Sequence, residues 1–314
     1  MTDIPDYLQI APEVRDALRG GRPVVALEST VISHGLPWPE NDALARRMES
    51  VVRAGGAVPA TIAVLAGQVV VGLDDAGIER LAQPRPAGAA GGPVRKVSRR
   101  DLALVQARRQ DGATTVATTI WLAERAGIRV MATGGIGGVH RSASGGQTWD
   151  VSADLPELAR TRVAVICAGA KAILDLPATR EWLETHGVPI LGYRTAEFPA
   201  FYSLSSGLPV DEVVQAASEV APMLRLHWEM GLGGVLVVVP PPEAYALDAR
   251  EMAGIIAKAI HDADAAGVRG KDLTPFLLTR VSELSGGRSK AVNLALLENN
   301  ARVGAELAVG LSRA

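Results

Sequence analysis

Apolar residues along the chain fall into two alternating kinds of segment. Unbroken runs of β-branched and small residues at 23–27, 128–132, 164–170, 188–191 and 235–239 read as strands. A strand covered on both faces shows continuous hydrophobicity rather than alternation, so these runs belong to a buried, mostly parallel sheet. Between them lie stretches with helical spacing. Residues 41–54 carry Leu44, Met48, Val51 and Val52 and close on Gly55-Gly56, and residues 115–126 end at Gly127. The same spacing predicts helices over 101–109, with Ser98 as a cap, and over 178–186, 211–230, 248–266, 274–284 and 290–309. Two short β runs, 61–65 and 68–73, are separated by Ala66-Gly67 and predict a hairpin. Residues 83–92, rich in Pro, Gly and Ala, read as a surface loop. The order of elements predicts an α/β fold: a three-layer α/β/α sandwich with a mostly parallel central sheet and a small β-hairpin excursion, formed as a single domain over 1–314.

Composition narrows the class without changing that picture. The 314 residues are 48% hydrophobic and 21% charged, with a net charge of -2, which suits a globular protein and lacks the basic face of a nucleic-acid binder. One cysteine, Cys167, excludes an intrachain disulfide framework and a thiolate metal cluster. No run reaches membrane-spanning length and the first residues form no signal-peptide pattern, so a cytoplasmic protein is expected.

Polar groups at the ends of the apolar runs carry the chemistry. Residues 164–170 lead into Lys171, and an amine held in apolar surroundings becomes a neutral nucleophile suited to Schiff-base formation. The alternative is a lysine that snorkels to solvent at the start of the next helix. The first run ends on Glu28, where open α/β sheets place their ligands. The run 128–132 meets Thr133-Gly134-Gly135-Ile136-Gly137-Gly138-Val139-His140, whose glycines allow backbone amides close to an anion. It matches neither a Walker A loop nor a dinucleotide fingerprint. Asp154, three residues before Glu157, fits a helix N-cap. Asp150 reads either as a turn residue or as a single-carboxylate ligand for a water-rich divalent cation. Phe198, Phe201 and Tyr202, in an irregular stretch, read either as walls of a planar ligand or as core. Lys96 adds a second cation that would favour a neutral Lys171.

Four segments in order, Ala26-Leu27-Glu28-Ser29-Thr30, Thr133 to Arg141, Asp150-Val151-Ser152-Ala153-Asp154-Leu155 and Cys167-Ala168-Gly169-Ala170-Lys171, resemble the pseudouridine-5'-phosphate glycosidases, the indigoidine synthase A-like family. The resemblance continues through 274–278 and from Asn293 to Asn300 and covers nearly the whole chain. It implies a cytoplasmic lyase-type enzyme of pseudouridine and nucleotide metabolism, a homotrimer using Mn²⁺, that reversibly splits pseudouridine 5'-phosphate into uracil and ribose 5-phosphate. Carried onto this chain, Lys171 matches the Schiff-base nucleophile, Glu28 the proton donor and Asp150 the metal ligand. Lys96, Val116, Ser152, Ala153 and Asp154 match substrate-binding positions, Thr133 and His140 the phosphate pocket, and Asn293 a contact on the uracil side. The sequence departs from the family pattern at 141–149, which is longer and lacks an acidic pair, and at Val239, where a polar residue is expected before Pro240. A Schiff-base lyase acting on another phosphosugar and a non-catalytic phosphosugar-binding protein are the two competing expectations.

Overall fold

The computed structural model describes residues 7–85, 92–141, 148–268, 270 and 273–313. The chain opens with β1 (Leu8–Ile10) and α1 (Pro12–Arg19), then β2 (Val24–Glu28), α2 (Thr30–His34) and α3 (Glu40–Ala54). The hairpin β3 (Val58–Leu65) and β4 (Gln68–Val71) follows, with α4 (Asp75–Ala82), β5 (Arg95–Val97), α5 (Leu102–Ala107) and β6 (Gly112–Thr114). Next come α6 (Val116–Ala126), β7 (Val130–Ala132), α7 (Asp154–Leu158), β8 (Ala164–Cys167), α8 (Leu176–Thr185) and β9 (Ile190–Tyr193). The remainder is β10 (Glu212–Val214), α9 (Ala217–Glu229), β11 (Val235–Val238), α10 (Ala249–Ala265), α11 (Leu273–Leu284) and α12 (Arg288–Arg313).

The main path of the sheet runs β1-β4-β3-β2-β7-β8-β11-β9-β10, with β6 branching from β3 and carrying β5. All neighbours pair in parallel except β3 with β4 and β3 with β6. The central strands β2, β7, β8 and β11 contain almost nothing but buried Val, Ile, Leu, Ala, Met and Cys, as strands covered on both faces require. Right-handed crossovers then fix the layers. Steps toward β10 place α6, α7 and α8 on one face; steps in the other sense place α3 and α9 on the opposite face, where both pack against α12.

Chain direction reverses between β2 and β7: from β2 the chain moves outward through β3 to β4, and from β7 it moves the other way to β8. Such a switch point opens a crevice at the carboxyl ends of the two strands.

One local expectation is overturned. Residues 211–230 are not one helix: Glu212–Val214 pairs in parallel with β9, and α9 begins only at Ala217. A β-branched pair at the sheet edge gains more from that ladder than from helical spacing. The proline-initiated α1 buries Val14 and Ala17. The expectation for Ser98 holds: it is the N-cap of a single 3₁₀ turn, Arg99–Asp101, that runs into α5, and its amide donates to Asp101 at 3.0 Å, while the helix ends at Ala107 rather than at 109. Much of the loop expected at 83–92 lies outside the described residues.

Candidate active site

Three strand ends converge at the switch point. β2 ends on Glu28, β7 runs into Thr133, and β8 continues through Ala168-Gly169-Ala170 to Lys171. Gly169 has φ +82°, and a Cβ there would lie 2.5 Å from the Pro199 carbonyl and 2.9 Å from the Phe198 ring. Only glycine turns the chain in that space. After it, Ala170 bridges Ile136 and the Lys171 amide donates to the Ile136 carbonyl at 3.1 Å. The half-buried Lys171 side chain lies along the same segment, and Nζ donates to the Gly135 carbonyl at 2.7 Å.

The Glu28 carboxylate accepts a hydrogen bond from the Thr133 hydroxyl. Burial raises its pKa above the ordinary carboxylate range. Attraction from Lys171, the Thr133 hydrogen bond and Lys96 oppose that rise, and the Asp154 charge reinforces it. The carboxyl group therefore holds a proton at pH values where an exposed glutamate has lost it. Lys171, Lys96 and Asp154 all lie within electrostatic reach of Glu28, so the structure gathers four of the residues singled out in the sequence.

The glycine segment is built differently from an open amide cradle. The Ile136 amide donates to the Gly169 carbonyl at 3.1 Å, the Gly137 amide to Asp154 Oδ2 at 2.8 Å, and the Val139 amide to Thr179 Oγ1 at 2.9 Å. The glycines are required by close packing: a Cβ would lie 2.6 Å from the Phe201 ring at Gly135, 2.2 Å from Ser152 Oγ at Gly137 and 2.3 Å from Thr179 Oγ1 at Gly138. Phe198, Phe201 and Tyr202 are buried, with Phe201 against Gly135, Phe198 against Gly169 and Tyr202 edge-on to Phe201, so the reading of these aromatics as ligand walls gives way to core packing. Phe201 holds φ +62°, a backbone state that a bulky residue keeps only when its surroundings enforce it.

Asp154 is not the N-cap of its own helix; Ala153 occupies that position, exposed. The aspartate is buried, and its Oδ1 accepts from the Ala117 amide at 2.8 Å while Oδ2 takes the Gly137 amide. It thus caps the first turn of α6, beside the buried Val116 and the N-cap Thr115, and ties that helix to the glycine segment. Ser152 donates its amide to the Gly138 carbonyl at 3.0 Å.

His140 and Asp150 face each other, with Nδ1 and Oδ2 4.0 Å apart and the His140 amide donating to the Asp150 carbonyl at 2.9 Å. Burial, reinforced by Lys171 and Lys96 against the pull of Asp150, lowers the His140 pKa, so the ring is neutral at pH 7. The Asp150 side chain is 58% exposed. Among the described residues no group of three or more His, Cys, Asp or Glu side chains is arranged to hold a metal ion. The donor set present, one open carboxylate beside a neutral imidazole, fits a hard divalent cation that keeps most of its water. Residues 142–147 of the departing loop lie outside the described residues. Cys167 is buried and its thiol is pushed up to about 12 by desolvation, which makes it core.

Among the described residues no hydrogen bond joins Asn293 to the cluster. The next polar residue to reach the site from α12 is Asn300, which is fully buried and donates Nδ2 to the Thr133 carbonyl at 2.8 Å and to the Gly134 carbonyl at 3.3 Å. Nothing in the sequence pattern separates it from the neighbouring Asn299. The signal, an amide in an otherwise apolar helix face, becomes legible only once α12 is known to cross β7 and β8.

Fold and site together define a class: an α/β protein with a lysine and a buried carboxyl group at the switch point of a doubly wound sheet. The family described as indigoidine synthase A like protein matches residues 13–310, and the chain belongs to that family. A pseudouridine-5'-phosphate glycosidase of Sorangium cellulosum (strain So ce56) is 55% identical over 309 residues, covering 98% of this chain and 95% of the relative. One from Alkaliphilus metalliredigens (strain QYMF) is 51% identical over 314 residues, covering 100% of this chain and 99% of the relative. Among solved structures, the prealnumycin C-glycosynthase AlnA in complex with ribulose 5-phosphate superposes with a TM-score of 0.88 at 39% identity, covering 98% of each chain. An indigoidine synthase A-like protein from Thermotoga maritima superposes with a TM-score of 0.86 at 36% identity over the full length of both chains. The mostly parallel α/β architecture expected from the sequence is the one these structures share. Among the described residues no helix is long and apolar enough to cross a membrane.

Proposed function

We propose that this protein is a pseudouridine-5'-phosphate glycosidase that cleaves the C–C bond of pseudouridine 5'-phosphate through a lysine imine. The carrying observation is the pairing, at one switch point, of the Lys171 amine held on the Gly135 carbonyl with a Glu28 carboxyl group whose burial favours its protonated form. The names of the relatives and the pentulose phosphate bound by AlnA support the substrate class.

A C–C glycoside offers no leaving heteroatom to protonate, so the two-carboxylate route of ordinary glycosidases does not apply. Lys171 Nζ bonds to C1' as the bond from C1' to the ring oxygen breaks, and a proton passes from the nitrogen to that oxygen, which leaves a hydroxyl on the opened ribose and a free lone pair on the nitrogen. Its lone pair then forms the C=N bond while the bond to uracil C5 breaks, and that electron pair takes the proton of Glu28. Water hydrolyses the iminium, releasing ribose 5-phosphate and restoring the amine, and the proton set free returns to the Glu28 carboxylate. On this reading Lys96 and His140 hold the phosphate, remote from the breaking bond, so binding energy there positions C1' against the amine. A divalent ion, Mn²⁺ by expectation, would rest on Asp150 and supply positive charge to phosphate and hydroxyl oxygens. A homotrimeric, cytoplasmic enzyme completes this reading.

Uracil release from pseudouridine 5'-phosphate with Mn²⁺ present tests the activity, and no turnover would reject it. Borohydride reduction with ribose 5-phosphate tests the nucleophile: an intact-mass gain is expected for the wild type and absent for Lys171→Ala. An adduct without uracil release would favour a lyase acting on another phosphosugar.

A further inference from the structure

Asn300 is the one polar side chain of α12 buried beneath the carboxyl ends of β7 and β8, with no exposed surface. Both partners of Nδ2 are carbonyl oxygens, of Thr133 and Gly134. This fixes the amide orientation, because the reverse would set Oδ1 against two acceptors. Oδ1 is itself buried without a hydrogen-bond partner, so the position retains an amide in spite of one unsatisfied acceptor. The two carbonyls it holds belong to a continuous stretch. At its first residue the Thr133 hydroxyl donates to Glu28; at its third the Gly135 carbonyl receives the Lys171 amine.

We propose that Asn300 is a positioning residue: its buried amide fixes the Thr133–Gly135 backbone and thereby both the hydroxyl that orients Glu28 and the carbonyl that seats Lys171. It touches no substrate and acts through a peptide segment shared by the two groups. The inference rests on the reading of Glu28 as acid and Lys171 as nucleophile. The groups that face Glu28 are Lys171, Lys96, Asp154 and the Thr133 hydroxyl, and Asn300 bears on the first and last of these.

The test is Asn300→Leu, close in volume and without donors. Loss of a bond that orients both the acid and the nucleophile corresponds to a fall in kcat of about 10- to 100-fold, with KM within about threefold because no substrate contact is removed. Glu28 ionisation is followed in the substrate-free protein by the infrared carboxyl band that Glu28→Gln abolishes. It should move to higher pH, since a loosened Thr133 stabilises the carboxylate less. In a Thr133→Val background Asn300→Leu should produce no further movement, because both changes act through one hydrogen bond. Asn300→Ser, smaller and polar, gives the same readouts if the leucine variant does not fold. Wild-type kcat and wild-type Glu28 ionisation in a folded variant, or additive shifts in the double variant, would overturn the proposal. Failure of the wild type to release uracil would instead count against the proposed reaction, since the infrared titration needs no turnover.

Discussion

The Thr133 hydroxyl donates to Oε1 of Glu28 across the gap between β7 and β2, and it is one of the forces that hold the carboxyl pKa down against burial. Thr133→Val removes that donor at nearly constant volume. The carboxylate form loses about 1–2 kcal/mol of support, so the pKa of Glu28 rises further. If Glu28 must be protonated to deliver its proton, the alkaline limb of kcat/KM moves to higher pH in Thr133→Val and returns in Thr133→Ser. A limb that stays in place would separate Glu28 from that ionisation.

Asp154 acts in the opposite sense. Its negative charge adds to the rise in the Glu28 pKa, and its two oxygens hold the amides of Ala117 and Gly137. Asp154→Asn removes the charge and turns one acceptor into a donor facing an N–H group. The alkaline limb is expected to move to lower pH, and the thermal midpoint to fall by an amount equivalent to about 1.5–3 kcal/mol, the range for hydrogen bonds to a charged acceptor. Thr133→Val and Asp154→Asn thus shift one limb in opposite directions. A common shift would mean that a general loosening of the site, not the electrostatics of Glu28, governs the profile.

Gly135 carries the carbonyl that receives Lys171, and its missing side chain leaves room for the Phe201 ring. A Cβ at Gly135 would lie 2.6 and 2.7 Å from two ring atoms and 3.0 Å from the Gly169 carbonyl. Gly135→Ala should therefore cost about 1–3 kcal/mol in stability through overpacking and displace the Lys171 acceptor. Slower imine formation with ribose 5-phosphate, read by borohydride trapping, is the expected result, with partial recovery in Gly135→Ala/Phe201→Leu. Trapping at the wild-type rate in Gly135→Ala would show that this carbonyl does not seat the amine.

The raised pKa of Glu28 also predicts a stability change. The folded value lies above the ordinary 4.5, so the folded state binds this proton more tightly than the unfolded chain. Its contribution is fully present below pH 4.5 and is lost as pH rises through the folded pKa, at up to about 1.4 kcal/mol per pH unit between the two. Glu28→Gln cannot lose that proton. The variant is expected to gain stability relative to the wild type as pH rises from 4 to 8, while C–C cleavage fails. Parallel stability curves over that range would refute the buried, protonated state.

Much of this site is written locally. Strands that end on Glu28 and Lys171 announce themselves because buried parallel strands are continuous apolar runs, and a charged residue at the end of such a run is conspicuous. The β3–β4 hairpin is equally local, a pair of β runs about Ala66-Gly67. The rest depends on contacts distant in sequence. Asp154 has the sequence signature of an N-cap, yet it caps α6, 37 residues away, because only the folded chain brings the Ala117 amide to it. The glycines suggest amides free for an anion, whereas three amides of the segment meet Gly169, Asp154 and Thr179, and small size is needed to admit Phe201, Ser152 and Thr179. Residues 211–230 have helical spacing, and the edge ladder with β9 overrides it at Glu212–Val214. Asn300 requires knowledge of where α12 crosses the sheet.

Asp150 is the remaining test of the cation. Its carboxylate is largely open to solvent, with His140 4.0 Å away and no third acidic or imidazole ligand among the described residues. Such a site binds a hard ion through one carboxylate and its retained water, so affinity should be modest and carboxylate-dependent. Mn²⁺ titrated into the wild type and followed by the electron paramagnetic resonance of the free ion is expected to show one site per chain. In Asp150→Ala that binding should weaken by about 10- to 100-fold, the range reported when a ligand or its support is lost. In Asp150→Asn it should weaken less, because a neutral oxygen ligand remains. The Thr133–Glu28 hydrogen bond lies outside this cluster, so the infrared ionisation of Glu28 should be unchanged in both variants. Equal Mn²⁺ affinity in wild type and Asp150→Ala would remove Asp150 as the ligand and leave the aspartate as a turn residue beside His140.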